Sequence, residues 1–126
     1  TVTAKGDPAM QLVCHCLNCQ KSSGSGHNPI AAFASDRVEI KGRTSSWSYV
    51  ADSGGTATSI FCPTCGSPIG GTTTSVPGIT AVRVGVLEDS AFFAPQVAVY
   101  GKRKRAWDHD FPQNPLFDTM PPMAGK

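Results

Sequence analysis

The chain is short of charge, of long apolar runs and of a pairable cysteine set. Only 16% of its 126 residues are charged, and the formal net charge is +2. A nucleic-acid binder usually spreads basic residues over a face or interleaves them with aromatics. Here four of the eleven basic residues sit in one block, Lys102-Arg103-Lys104-Arg105, and the remainder is nearly neutral. Nucleic acid is therefore not the expected partner. No run approaches the roughly 18 apolar residues of a transmembrane helix, so no membrane partner is expected either. Thr1–Met10 has no charged-then-apolar pattern, so a secretory leader is not expected there. Five cysteines cannot all pair within one chain.

What is abundant is glycine and proline, 13 and 10 residues spread along the whole length. That density interrupts long helices, and its even spread argues for many turns rather than disorder. A helical bundle and a disordered tail are both excluded on this reading. The length fits one domain, residues 1–126.

The cysteines fall into two clusters, Cys14-His15-Cys16-Leu17-Asn18-Cys19 and Cys62-Pro63-Thr64-Cys65, with 42 residues between them. A secreted disulfide framework scatters its cysteines. Clusters at such spacings belong to metal or redox chemistry in a reducing cytoplasm. Tetrahedral zinc holds thiolate sulfurs at about 2.3 Å, and a C-x-x-C turn converges two of them on one point. Pro63 stiffens the second turn, and Gly66 can adopt the positive φ that frees N–H groups to face the sulfurs. A thioredoxin-type redox pair would need a helix after Cys65. Gly66, Pro68, Gly70 and Gly71 follow instead.

The first cluster supplies three thiols within six residues, and three protein ligands leave zinc an open fourth position, as in catalytic sites. His15 would point away from its two cysteine neighbours on an extended backbone and is not counted as a ligand. His27 and Asn28 are candidates to approach from the Gly-rich segment that follows.

Short strands are expected at Val2–Ala4, Met10–Val13, Ile30–Ala34, Val38–Ile40 and Val97–Tyr100. A single helical turn is expected within 14–23. Trp47–Val50 and Thr56–Phe61 read as a hairpin around Asp52-Ser53-Gly54-Gly55. The clearest strand runs from Ile79 to Leu87, with Val82, Val84 and Val86 on one face. The proline-rich tail should be extended and pinned by Trp107, Phe111 and Phe117. Trp107 reads as a core anchor ahead of a stacking platform. The basic block reads first as a solvated edge, and Asp108-His109-Asp110 as a surface cluster ahead of an acid/base group.

The motifs Cys14-His15-Cys16-Leu17-Asn18-Cys19-Gln20-Lys21-Ser22-Ser23-Gly24 and Phe61-Cys62-Pro63-Thr64-Cys65-Gly66-Ser67 resemble those of the GFA family. That family comprises the glutathione-dependent formaldehyde-activating enzyme, its relatives and the centromere protein V-like domains. The Pro95 segment, Trp107 and Met120-Pro121-Pro122 are similar to it as well. The resemblance implies a mainly β fold, a small β-tent of antiparallel sheets carrying Zn2+. It implies an open three-thiolate site at Cys14, Cys16 and Cys19. It also implies that Cys62 and Cys65 close a structural zinc with an N-terminal C-x-C. No such C-x-C occurs in these 126 residues: either a preceding strand carries it or this member departs from the pattern. In the second case Cys62 and Cys65 are metal-free, recruit a partner chain, or share one zinc with two of the first three cysteines.

The activity implied is that of a carbon–sulfur lyase of the S-(hydroxymethyl)glutathione synthase type. It would act at zinc on a thiol such as glutathione and on formaldehyde or a similar small carbonyl compound. Glutathione is anionic, and Lys21, Arg43 and the Lys102–Arg105 block are candidates by charge to receive it. The alternative is a non-catalytic zinc-binding β-tent module for protein or ligand interaction. Fold and metal alone do not choose between the two.

Overall fold

The computed structural model describes residues 1–51 and 54–120. The turn positions Asp52 and Ser53, and the closing Pro121-Pro122, lie outside the described residues. Mainly β structure with few helices is what the chain adopts, as its turn-rich composition requires. Its contacts group into two compact units, one of Thr1–Met10 with Ala31–Phe93, the other of Gln11–Ile30 with the chain from Ala94 onward.

In the first unit β1 (Val2–Ala4) pairs antiparallel with β4 (Val38–Ile40). A second sheet contains β5 (Ser45–Val50), β6 (Thr56–Phe61), β7 (Pro68–Thr73) and β8 (Ile79–Arg83), in that order. The later residues of β3 (Asn28–Ala34) lie beside β8. The expected hairpin is present, registering Ser45 on Phe61 through Val50 on Thr56. Its core gathers Val2, Ala31, Phe33, Ile69, Val82, Val84 and Leu87. Ala31 and Phe33 stand two apart on β3, as a period of two requires of residues on one face.

Two expectations need correction here. The strand expected through Leu87 stops at Arg83, and Val84–Val86 is a 3-10 turn closed by Leu87 N–H on the Val84 carbonyl, 3.1 Å. The alternating valines are still inward at Val82 and Val84 because the turn keeps Val84 buried. β7, by contrast, gives no strand signal in sequence, since Gly70 and Gly71 occupy its middle. Their lack of side chains is what the sheet requires. A Cβ on Gly70 would lie 2.5 Å from the Ala81 carbonyl oxygen, and one on Gly71 2.7 Å from that of Thr58. Only glycine permits such backbone approach.

The second unit is organised around β2 (Met10–Cys14) and β9 (Val97–Val99), paired in parallel with Leu12 opposite Val97 and Cys14 opposite Val99. The tail lies along the other side of β9: Ala98 N–H donates to the Pro115 carbonyl and Phe117 N–H to that of Ala98, both at 2.9 Å. The tail is thus extended at this point, as expected. Trp107, however, is 70% exposed and anchors no core. Phe111 is half-buried, with its ring 5.1 Å from that of His27.

Candidate metal centre

Cys14 ends β2, and its side chain is buried by the pairing with β9. His15 N–H still bonds the Val99 carbonyl at 3.0 Å, so the chain remains strand-like for one more residue. Cys16 then caps α1 (Leu17–Ser23), its Sγ accepting from Cys19 N–H at 3.3 Å. A thiolate can serve as a helix cap because it accepts where the first turn leaves donors unpaired. The helix is longer than the single turn expected, because Gln20 N–H reaches the Cys16 carbonyl and Gly24, left-handed, closes the other end.

This strand–cap–helix sequence brings the three sulfurs of Cys14, Cys16 and Cys19 within 4.8 Å of one another. Sulfurs about 2.3 Å from a tetrahedral zinc stand about 3.8 Å apart, so the cluster fits the ion after a small contraction. The donor chemistry fits too. Cys16 is drawn down to about 3 by hydrogen bonds from the Cys14 and Cys19 thiols, helped by the backbone N–H groups of Cys19 and Asn18. Cys14 moves the other way, pushed up chiefly by its donation to Cys16. Cys14 and Cys19 are buried and Cys16 is half-buried, so one side of the cluster is accessible.

Neither His27 nor Asn28 belongs to the metal-ligand group. His27 Nδ1 is held by Asp108, 2.9 and 3.1 Å from its two carboxylate oxygens. Asn28 donates from Nδ2 to Ser22 Oγ. His15, as expected, stands outside the ligand set: Nδ1 is 3.3 Å from the Gly26 carbonyl and 3.5 Å from Asp108. Burial lowers its pKa, against the pull of Gly26 and Asp108. Asp108 is therefore not part of a surface cluster. Its side chain is 4% exposed, whereas that of Asp110 is 83% exposed. Burial would raise the Asp108 carboxyl, but hydrogen bonds from His27 and from His109 N–H hold it below the usual carboxylate range. Gly26 makes room for it, since a Cβ there would lie 2.5 Å from Oδ2.

The basic block is more than a solvated edge. Lys104 pairs with Asp110 at 3.0 Å and donates to the Asp108 carbonyl. Arg105 Nε donates to Gln20 Oε1 at 2.8 Å, while Gln20 Nε2 donates to the carbonyls of His15 and Arg103. Gln20 thus ties the cysteine-bearing helix to a segment 85 residues later. Sequence reasoning missed Gln20 and the His15–Asp108–His27 group, and no local signal marks either. Lys21 is exposed in the last turn of α1.

In the first unit, Cys62 and Cys65 form the anticipated knuckle. Gly66 takes φ 78° and donates to the Cys62 carbonyl at 2.8 Å. The backbone N–H groups of Cys65 and Thr64 lower the Cys62 thiol. Cys65 is exposed, its sulfur 3.1 Å from Ser67 Oγ. Arg43 is also exposed in this unit.

A mainly β chain that folds three thiols into one accessible cluster, and that carries a separate C-x-x-C knuckle in its other unit, belongs to the class of cysteine-bearing β proteins with a cluster able to hold a metal ion. More specifically, residues 1–103 match the family model described as glutathione-dependent formaldehyde-activating enzyme, and the chain belongs to this GFA family. No curated protein gave a significant match.

Proposed function

We propose that the chain is a zinc-dependent enzyme of the carbon–sulfur lyase type, joining a glutathione-like thiol to formaldehyde or a similar small carbonyl compound. One observation carries this reading: in a member of the GFA family, Cys14, Cys16 and Cys19 converge with Cys16 partly open. In the reaction a carbon–sulfur bond forms between the thiol sulfur and the carbonyl carbon of formaldehyde. The carbonyl π bond breaks, and the thiol proton ends on its oxygen, giving the S-hydroxymethyl adduct. Zinc, when bound, would acidify the incoming thiol or polarise the carbonyl, with the negative charge of three thiolates weakening it as a Lewis acid.

The chain's own contribution is positional. Cys14 is fixed by the β2–β9 ladder and Cys16 and Cys19 by the helix cap, so the donor set is assembled before ligand arrives. Lys21, two residues beyond Cys19, offers a cation to a substrate carboxylate, and Arg43 is the second candidate. Cys62 and Cys65 supply half of a structural zinc site, with the 126 residues working as one domain in the cytoplasm. Unbridged cysteines throughout suit that compartment.

The test uses cobalt in place of zinc. Millimolar glutathione should alter the cobalt–thiolate absorption as a fourth sulfur enters. An unchanged spectrum, with metal bound, removes the basis of the enzyme reading and leaves a closed metal-binding module.

A further inference from the structure

Within the basic block, Arg105 is held by its side chain against the cysteine-bearing helix. Gln20 makes the link. Its Nε2 donates at 2.8 Å to the carbonyl of His15, the residue between Cys14 and Cys16, and at 2.9 Å to that of Arg103. Its Oε1 accepts from Arg105 Nε at 2.8 Å. One carboxamide spans these bonds, so Arg105 Nε lies within about 8 Å of the His15 carbonyl oxygen. The Arg105 backbone is fixed as well, because its carbonyl accepts from Asp108 N–H at 3.1 Å. All these residues belong to the second unit.

Arg105 is nonetheless exposed, and its charge is not used within the chain. The two acids that follow it are taken: Asp108 is buried against His27, and Asp110 pairs with Lys104 at 3.0 Å. Among the described residues, no carboxylate stands within ion-pair distance of Arg105. The bond to Gln20 engages Nε and leaves the two Nη groups, a planar fork that matches a carboxylate by two parallel hydrogen bonds. Orientation by Gln20 reduces the rotamer entropy that a free surface arginine would lose on binding.

We propose that Arg105 is the carboxylate anchor for a thiol at the cysteine cluster, selecting acid-bearing thiols such as cysteinyl peptides over neutral ones. The inference rests on the thiol reading above and adds the residue that discriminates among thiols. The scale agrees: a carboxylate ending the residue after a cysteine lies about 7 Å from its sulfur. A sulfur meeting the cluster at half-buried Cys16 would thus bring that carboxylate into the region of the guanidinium. Glutathione carries two carboxylates, so Arg105 acts beside Lys21 and does not replace it.

Glutathione and glutathione diethyl ester test this, because they share the thiol and the ester lacks both carboxylates. Each is titrated into cobalt-loaded protein and followed by the cobalt–thiolate absorption. Glutathione should bind more tightly than the ester. Arg105→Gln should weaken glutathione about threefold to tenfold, the range for one charge-assisted contact at an exposed site, and leave the ester within about twofold. Cobalt content and melting temperature should match the natural protein, since an exposed side chain is replaced. Unchanged glutathione affinity in Arg105→Gln, or equal weakening of both thiols, overturns the anchor while the thiol reading stands. A spectrum that neither thiol alters in the natural protein overturns both.

Discussion

Removing the Asp108 carboxylate should loosen the second unit by an amount the geometry sets. The carboxylate is 4% exposed and accepts from His27 Nδ1 at 2.9 and 3.1 Å and from His109 N–H at 2.9 Å. His109 is exposed, so water replaces that bond at little cost. His15 keeps the Gly26 carbonyl. The loss therefore falls on the charge-assisted His27 bond, about 2–3 kcal/mol for a partly buried partner. Asp108→Ala should lose that much in urea unfolding of the zinc-loaded protein at pH 7, and Asp108→Asn about half. A double-mutant cycle with His27→Ala should recover a coupling of at least about 1 kcal/mol. The pH dependence has a defined sign. Because folding lowers this pKa, its stabilisation is complete above the unfolded value near 3.9 and vanishes as pH falls through the lower folded value. The gap between the natural protein and Asp108→Asn should close as pH falls below about 4. A cost for Asp108→Ala under about 1 kcal/mol, or a gap undiminished well below about pH 4, would refute the reasoning.

Gly70→Ala should destabilise the first unit by more than about 2 kcal/mol, because the new methyl meets the fixed Ala81 carbonyl rather than a flexible side chain. A neutral result in thermal melting would contradict the close packing of β7. Elemental analysis should find at least one zinc per chain. Cys16→Ser should release zinc from the first cluster, while Cys65→Ser should mainly lower the melting temperature. Equal metal loss from both variants would instead favour one site shared by the two clusters. Trp107→Ala should change stability by no more than about 0.5 kcal/mol, as expected for an exposed side chain, and a loss near 3 kcal/mol would restore the core-anchor reading.

Local patterns in the sequence carry much of this structure. β1, β2, β4 and the β5–β6 hairpin follow from period two and turn residues, and the three-cysteine cluster follows from ligands only a few residues apart. β7 is hidden because Gly70 and Gly71 serve backbone approach, which sequence propensity counts against a strand. The pattern overextends β8 because Val84 stays buried in a 3-10 turn, so the hydrophobic alternation continues after the strand has ended. The His27–Asp108 bond spans 81 residues, and no periodicity predicts it. Trp107 misleads for a related reason: size and apolarity favour burial on average, while the neighbouring Asp108, a charged residue, takes the interior position.

The parallel pairing of β2 with β9 also sets an order of events during synthesis. The three clustered thiols are complete once Cys19 has been made, and a metal could bridge them with no distant partner. Their supports come much later: Gln11 meets Gln96 and Gln20 meets Arg105, each 85 residues on. Contacts of such separation form slowly, because a long loop must close first. A nascent chain therefore carries these three thiols without their later supports while some 85 further residues are made. Metal captured in that interval would give the late-arriving C-terminal segment a preformed surface on which to close.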